Sequence, residues 1–189
     1  MKFLLSASLI ASAAAFTPSS STVGSSTKLS ASFENEVGAQ IPLGFFDPLG
    51  IVADGDEENF NRLRYVELKH GRIAMLAVVG YLTTYAGLRF PGAEDIPSGF
   101  KALDSLPSMV WLQMGFTVGL MEIMNRDIGM STFPGDFRNG ALDFGWDAQT
   151  DEWKKKKRSI ELNNGRAAQM GIFALMVHEK IGNIDSILP

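Results

Sequence analysis

The sequence predicts an all-α membrane protein with three transmembrane helices, the first and third crossed and related by pseudo-two-fold symmetry. Three observations predict this fold. The block at 67–77 (ELKHGRIAMLA) reappears, altered, at 161–171 (ELNNGRAAQMG). Each copy opens a long helical segment, and a third apolar segment lies between them at 108–125. Internal repeats are frequent in membrane proteins, where they relate helices by pseudo-symmetry.

Composition limits the function classes but does not by itself indicate a membrane. The 189 residues fit one domain, and the absence of cysteine excludes a disulfide scaffold, thiol chemistry and a cysteine-based zinc site. A net charge of −4 does not suit nucleic acid, and two histidines leave little room for a histidine-rich metal centre. With 46% hydrophobic and 20% charged residues and a mean hydropathy of +0.06, the chain is also compatible with a soluble domain.

The N-terminal residues are predicted to be a targeting sequence. Residues 1–15 carry Lys2, an apolar run and alanines 13 to 15, which is the pattern of a signal peptide with an A-x-A cleavage site. Residues 16–31 are rich in Ser and Thr and contain no acid, as in a plastid transit peptide. The mature domain is then 32–189. The alternative is a secreted protein with a Ser/Thr-rich linker.

Apolar loops precede the first and third predicted helices. They are 45–50 (FFDPLG) and 141–146 (ALDFGW), so the repeat includes the segment before each helix. Proline and glycine favour a loop at the first of them. One interpretation of 45–50 is a turn that its two phenylalanines pack on the core.

The helices are predicted at 61–89, 108–125 and 151–181. In the first, the apolar part 73–88 is shorter than the roughly 18–20 residues of an ordinary span. It can cross a membrane only if the polar turn 67–72 also enters, neutralised by the third helix. The alternative for this segment is a long amphipathic helix of a soluble bundle.

The two motif copies predict crossed ion pairs. Within one copy the arginine lies about 140° round the helix from the acid, so the two side chains do not face each other. If the helices cross at the motif glycines, where small residues permit close approach, each acid meets the arginine of the other copy. A buried carboxylate without such a partner is costly. The predicted pairs are Glu67 with Arg166 and Glu161 with Arg72, across Gly71 and Gly165.

Metal-ligand donors remain once these charges are neutralised. Glu67 and His70 are three residues apart, about 60° round the helix, and therefore share a face. Glu161 and Asn164 have the same spacing. Oxygen and imidazole donors at the start of a membrane-length segment predict axial ligands for a metal with one open coordination position.

Basic residues predict the orientation of the helices. They flank the N-terminal ends of the first and third helices, most densely at 154–158 (KKKKR), and Arg126 follows the second helix. An up-down-up arrangement puts all of them on one side of the membrane, as the positive-inside bias requires, with Glu94 and Asp95 on the other. The alternative for 154–158 is an ordinary solvated face.

The duplicated E-x-x-H/N-G-R block resembles the first and third transmembrane helices of the chlorophyll-binding light-harvesting proteins. From about residue 40 to the C terminus the chain is similar to their fucoxanthin–chlorophyll a/c branch, and the N terminus resembles the bipartite presequence of secondary plastids. The resemblance implies a multi-pass antenna of the plastid thylakoid membrane, not an enzyme, with chlorophyll a, chlorophyll c, fucoxanthin and further carotenoids as cofactors. It implies the thylakoid bilayer, other antenna subunits in an oligomer and a photosystem core as partners, and no nucleic acid.

The resemblance also implies a set of pigment-binding residues. In the family the middle helix carries a Gln and a Glu that bind chlorophyll, and a further ligand lies near the end of the third helix. The alternatives are that Glu122 pairs with Arg126 at the membrane boundary and that His178 is an ordinary interfacial residue. No ligand role matches Gln169. The implied set is Glu67, His70, Glu161 and Asn164 on the Mg²⁺ of chlorophyll, Arg72 and Arg166 as counter-charges, and Gln113, Glu122 and His178.

Three other functions are compatible with the sequence. The first is a photoprotective relative that dissipates excitation, although an acidic connector with only Glu94, Asp95 and Asp104 as pH sensors favours harvesting. The second is a soluble secreted helical protein in which the Glu–Arg pairs are structural. The third is a membrane-bound enzyme with a catalytic metal at Glu67, His70 and Glu161, which offers few ligands.

Overall fold

A computed structural model describes residues 33–52, 55–126, 131–139 and 143–188. The predicted signal and transit peptides, residue 32 and residues 141–142 lie outside these ranges. Within them the secondary structure is helical and no strand forms, which confirms the all-α class. The helices are α1 (Glu57–Tyr85), α2 (Lys101–Ser105), α3 (Ser108–Met124) and α4 (Asp151–Ile181), followed by a 3₁₀ turn at Ile184–Ser186. By hydropathy, none of these described helices has the length and apolar character needed to cross a membrane.

Helix α1 begins and ends four residues earlier than the predicted 61–89, which was wrong at both ends. The Asp56 carboxylate accepts two backbone N–H groups of the first turn, at 3.0 and 3.2 Å, and so fixes the start. Gly87 adopts a left-handed conformation, with φ of 87°, and the Leu88 N–H returns to the Thr83 carbonyl at 3.1 Å. This glycine stop ends the helix before the proline–glycine pair is reached.

Helix α4 occupies the predicted 151–181, and α3 is one residue shorter than the predicted 108–125. Thr150 caps the start of α4 by accepting the Trp153 N–H at 3.4 Å. Gly182, with φ of 84°, ends it in the same way that Gly87 ends α1. The short α2 in the connector was not predicted.

Helices α1 and α4 run in the same direction and cross at Gly71 and Gly165. A Cβ atom at Gly71 would lie 2.9 Å from the Gly165 Cα, so only glycine allows this approach. The far ends are joined by a hydrogen bond from the Tyr81 hydroxyl to Glu179 at 2.9 Å. The crossing is therefore fixed at the motif and again towards the C-terminal ends.

Helix α3 stands apart from the crossed pair. Among the described residues its backbone comes within packing distance of no other helix, and nearly all its side chains are exposed. Lys69 of α1 reaches Glu122 of α3 with 2.5 Å between Nζ and Oε2. This contact joins the first half of α1 to the last part of α3.

The N-terminal segment packs on the start of α1 through a small aromatic core. Phe33 stacks on Phe60 with 4.4 Å between ring centroids, and Val52 completes the buried cluster. Phe45 packs against this cluster, whereas Phe46 is 66% exposed. The apolar turn is thus held by one of its two phenylalanines.

Candidate functional site

Both ion pairs that the duplicated motif predicts are present at the crossing. Arg166 Nε lies 2.7 Å from Glu67 Oε1, and Arg72 Nε lies 2.5 Å from Glu161 Oε1. The four side chains are between 29% and 43% exposed, so the pairs are partly covered by protein. Each helix therefore supplies one acid and one arginine to its partner.

The two pairs are not equivalent, because Glu67 has a second cation. Arg64 Nη1 lies 2.7 Å from Glu67 Oε2, one turn earlier on the same helix. Arg158 holds the same place relative to Glu161, but its guanidinium lies 4.3 Å from the Phe133 ring centroid instead. The prediction missed Arg64, although the i,i+3 spacing and its repetition at Arg158 were readable.

Each half of the crossing is covered by the loop that precedes a helix. Gly38 lies on Leu162 in a left-handed conformation (φ 104°), and its carbonyl accepts a hydrogen bond from Arg166 at 3.0 Å. Gly135 lies on Leu68 in the same conformation (φ 88°). Leu68 and Leu162 hold the same place in the motif. The pseudo-symmetry therefore extends from the helices to their covering loops.

The turns before the helices repeat the same hydrogen bonds. Asp47 accepts the backbone N–H groups of Ile51 and Val52 at 3.0 and 2.9 Å. Asp143 accepts the N–H of Asp147 at 3.2 Å, also four residues later. The repeat in sequence is thus a repeat in turn geometry.

An ion cluster fixes the loop over the Glu161 half. Arg138 Nη2 lies 2.8 Å from the buried Asp136, and Nη1 lies 3.0 Å from Asp143 and 3.2 Å from Asp147. The hydrogen bond from Arg138, with further bonds from backbone N–H groups, holds the pKa of Asp136 well below the usual carboxyl range. The same hydrogen bond raises the pKa of Arg138.

His70 is oriented by its own helix. Its Nδ1 lies 2.8 Å from the Val66 carbonyl oxygen, which can only accept, so Nδ1 carries the proton. Nε2 then has a free lone pair, the arrangement in which a histidine binds a metal. His70 lines a groove of about 600 Å³ together with Glu67 and Gln169.

The remaining predicted ligands differ in their surroundings. His178 Nδ1 is 3.0 Å from Asn183 Oδ1. Asn164 and Gln113 are exposed, and neither side chain makes a hydrogen bond within the described part of the chain. Glu122 pairs with Lys69 of another helix and not with Arg126, the partner considered as an alternative to a ligand role.

Gln169, to which the sequence assigned no ligand role, donates from Nε2 to the Glu67 carbonyl oxygen at 3.4 Å. It lines the groove beside His70. A second cavity of about 730 Å³ shares Ala77 and Ile172 with that groove and extends along α1 to the connector. The two cavities therefore lie next to each other along the crossed helices.

The described residues hold no cluster of three or more His, Asp or Glu side chains around a common metal position. Glu67, His70 and Glu161 therefore do not converge as the metalloenzyme alternative requires. Each acid instead meets an arginine, and each motif presents its donors separately.

A family model described as chlorophyll A-B binding protein matches residues 33–180. The chain belongs to this family. The resemblance identified from the duplicated motif is thereby confirmed. This family consists of light-harvesting, pigment-binding proteins, so the chain is not an enzyme.

Curated relatives of this chlorophyll-binding family match over most of their length. The chain is 57% identical to the chloroplastic fucoxanthin–chlorophyll a-c binding protein F of Phaeodactylum tricornutum, covering 96% of this chain and 97% of the relative. It is 52% identical to a protein of the same description from Trieres chinensis, covering 96% of each. For protein A of Macrocystis pyrifera the identity is 50%, over 84% of this chain and 78% of the relative.

Proposed function

We propose that this protein is a light-harvesting antenna of the chloroplast thylakoid membrane that binds chlorophyll a, chlorophyll c and fucoxanthin. Membership of the chlorophyll-binding family and the descriptions of its relatives support this function. The observation that carries the site is the exchange of acid and arginine between the two motif copies at 2.7 and 2.5 Å. That exchange gives each carboxylate a cation from the other helix, so that neither acid enters the crossing as an unpaired charge.

The donor set fits chlorophyll, whose Mg²⁺ would be held by oxygen or nitrogen of the four motif residues Glu67, His70, Glu161 and Asn164. Glu161, paired with Arg72, offers oxygen without net charge, and no hydrogen bond in the described chain occupies its Oε2. Glu67 offers carboxylate oxygens that Arg166 and Arg64 neutralise. His70 offers a free Nε2, and Asn164 offers an uncommitted amide oxygen. Bound chlorophyll absorbs light and passes excitation on. The chain's own task is to fix the spacing of these donors.

The crossed helices and α3 are proposed to be three membrane spans. At 1.5 Å per residue, the 29 and 31 residues of α1 and α4 reach well over the roughly 30 Å of a hydrocarbon core. The charges of the motif turns enter as neutral pairs. Basic residues 154–158 then lie at the stromal side, where α1 and α4 begin and α3 ends.

Pigments are proposed to cover the exposed apolar side chains of α3 and to fill the groove beside His70 on the crossed pair. The exposed apolar side chains of α3 and the groove beside His70 have no protein partner within the described residues. Gln113, Glu122 and His178 supply further donors from this surrounding surface. The same pigment-covered exterior suits association with other antenna subunits in an oligomer and with a photosystem core.

An absorption spectrum and pigment analysis of the detergent-extracted protein test this function. We expect bound chlorophyll and carotenoid, with chlorophyll fluorescence excited through the carotenoid band. Glu161→Ala and Arg72→Ala should each lower the chlorophyll content, whereas Lys156→Ala, at an exposed lysine, should not. A folded but colourless protein would contradict the proposal.

A further inference from the structure

The ion pair between Lys69 and Glu122 is the single hydrogen bond or ion pair in the described chain that ties a side chain of α3 to another element. Nζ and Oε2 are 2.5 Å apart, and the two side chains are 28% and 53% exposed. No hydrogen bond to the second carboxylate oxygen, Oε1, occurs among the described residues. The pair therefore leaves Oε1 of Glu122 without a hydrogen bond. This oxygen lies at the edge of the space between α3 and the crossed helices, which we call the gap.

Lys69 is held in place from its own side of the gap. Its ammonium lies 5.1 Å from the Tyr65 ring centroid and 5.7 Å from the Phe137 ring centroid. Cation–π attraction at such distances favours a fixed ammonium position. Phe137 belongs to the loop that Arg138 fixes over the Glu161 half, and its ring also lies 5.1 Å from the Arg72 guanidinium.

Lys69 also lies on a different face of α1 from the Glu67 pair. The two positions are two residues apart, about 200° round the helix. Lys69 pairs with Glu122 of α3, whereas Glu67 pairs with Arg166 of α4. An unpaired carboxylate at Glu122 would be costly on an apolar helix. The cation that neutralises it is Lys69 of α1, not a residue of α3.

We propose that Lys69 is the counter-charge of a third charge-balanced oxygen ligand, Glu122, and that this interhelical pair positions α3 relative to the crossed helices. The proposal rests on the proposed pigment-binding function and deepens it. The ligand is a chlorophyll-type magnesium macrocycle in the gap, bound through the open Glu122 oxygen. Lys69 acts as a positioning residue, because it touches the ligand's carboxylate rather than the pigment.

A double-mutant series tests the proposal, with chlorophyll per polypeptide measured after reconstitution with extracted pigments. Lys69→Met should lose one chlorophyll, because Glu122 is left as a lone carboxylate. Glu122→Gln should keep the full number, because an amide supplies neutral oxygen without a cation. Lys69→Met combined with Glu122→Gln should recover the chlorophyll that Lys69→Met loses, and Lys69→Arg should keep it.

Lys156→Met is the matched control, since it removes one exposed positive charge on the same side of the protein. The inference is overturned if Lys69→Met keeps every chlorophyll, or if the double variant is as deficient as Lys69→Met. It is also overturned if Lys69→Arg loses the pigment while remaining folded. Failure of the wild-type protein to bind any pigment would instead contradict the proposed function itself.

Discussion

The two halves of the helix crossing come from the same motif but are balanced differently. At Glu67 one carboxylate meets two guanidinium groups, those of Arg64 and Arg166, and the N-terminal segment lies over the pair. Among the described residues, Glu161 forms an ion pair with Arg72 and with no second arginine. A duplicated sequence thus gives two sites of equal geometry at the crossing and unequal charge, because the surrounding loops differ.

The largest effect is expected where both halves depend on the same contact. Gly71→Ala would place a Cβ atom 2.9 Å from the Gly165 backbone, and backbone atoms cannot move aside as a side chain can. We expect a loss of about 3 kcal/mol in stability and of pigment from both halves. Circular dichroism on heating and pigment yield after reconstitution would measure this.

Gly171→Ala is the control for that variant. Its Cβ would meet only Val78, at an ordinary 3.9 Å. Alanine is favoured over glycine within a helix, so stability should stay equal or rise by up to about 1 kcal/mol. If Gly71→Ala and Gly171→Ala behaved alike, the close crossing would not be what holds the two halves together.

The unequal charge balance predicts unequal arginine variants. Arg72→Met leaves Glu161 without an ion-pair partner among the described residues and should cost about 2 kcal/mol, less than for a fully buried pair because the groups are about one-third exposed. Arg166→Met leaves Glu67 with Arg64 and should cost about 1 kcal/mol. Thermal melting and chlorophyll content of the two variants give the comparison.

Removing Arg64 as well should abolish that difference. The double variant Arg64→Met/Arg166→Met removes both ion-pair partners of Glu67, just as Arg72→Met removes the ion-pair partner of Glu161. The loss of stability should then be similar at the two halves. Equal losses from the two single variants would show that Arg64 contributes nothing to the balance at Glu67.

The neighbouring donors, His70 and Asn164, are expected to be interchangeable. Each offers one axial donor from the same motif position, so His70→Asn and Asn164→His should keep the chlorophyll. His70→Leu and Asn164→Leu should each lose one. Pigment analysis of the four proteins measures this, and loss in the two exchanged variants would mean that the halves select different donors.

The smallest effect is expected from mild acid. Because the pKa of Asp136 is held below the usual value, its contribution is fully present above about pH 4 and is lost only as pH falls towards the lower pKa. The protection of the 131–139 amides against hydrogen exchange, relative to the intrinsic rate at each pH, should therefore not change between pH 7 and pH 5. Asp136→Asn should raise exchange there and cost about 1 kcal/mol. Lower wild-type protection at pH 5 would count against this ion cluster as the element that fixes the loop.

The crossing was predictable because it follows from short-range geometry. Glu67, Gly71 and Arg72 have the same spacing as the acid, glycine and arginine of the second motif copy. This spacing allows few ways to neutralise both acids. The end of α1 was misjudged because Gly87 was not recognised as a left-handed stop. Such a stop is set by a single flexible residue rather than by periodicity.

Long-range partners could not be predicted from spacing. Lys69 and Glu122 are 53 positions apart, and their contact depends on how the connector returns α3 beside α1. The different roles of Arg64 and Arg158 likewise depend on where Phe133 lies. The predicted targeting peptides and pigment assignments stay predictions.

The central claim is that a crossed Glu–Arg pair acts as a neutral oxygen ligand and not merely as an ion pair between helices. Two double variants separate these roles at the simpler half: Glu161→Gln with Arg72→Met, and Glu161→Leu with Arg72→Met. Both abolish the ion pair, and they differ in the presence of an amide. In a measurement of chlorophyll per polypeptide, the Gln variant should keep the full number and the Leu variant should lack one. Equal chlorophyll content in the two folded variants would contradict the account.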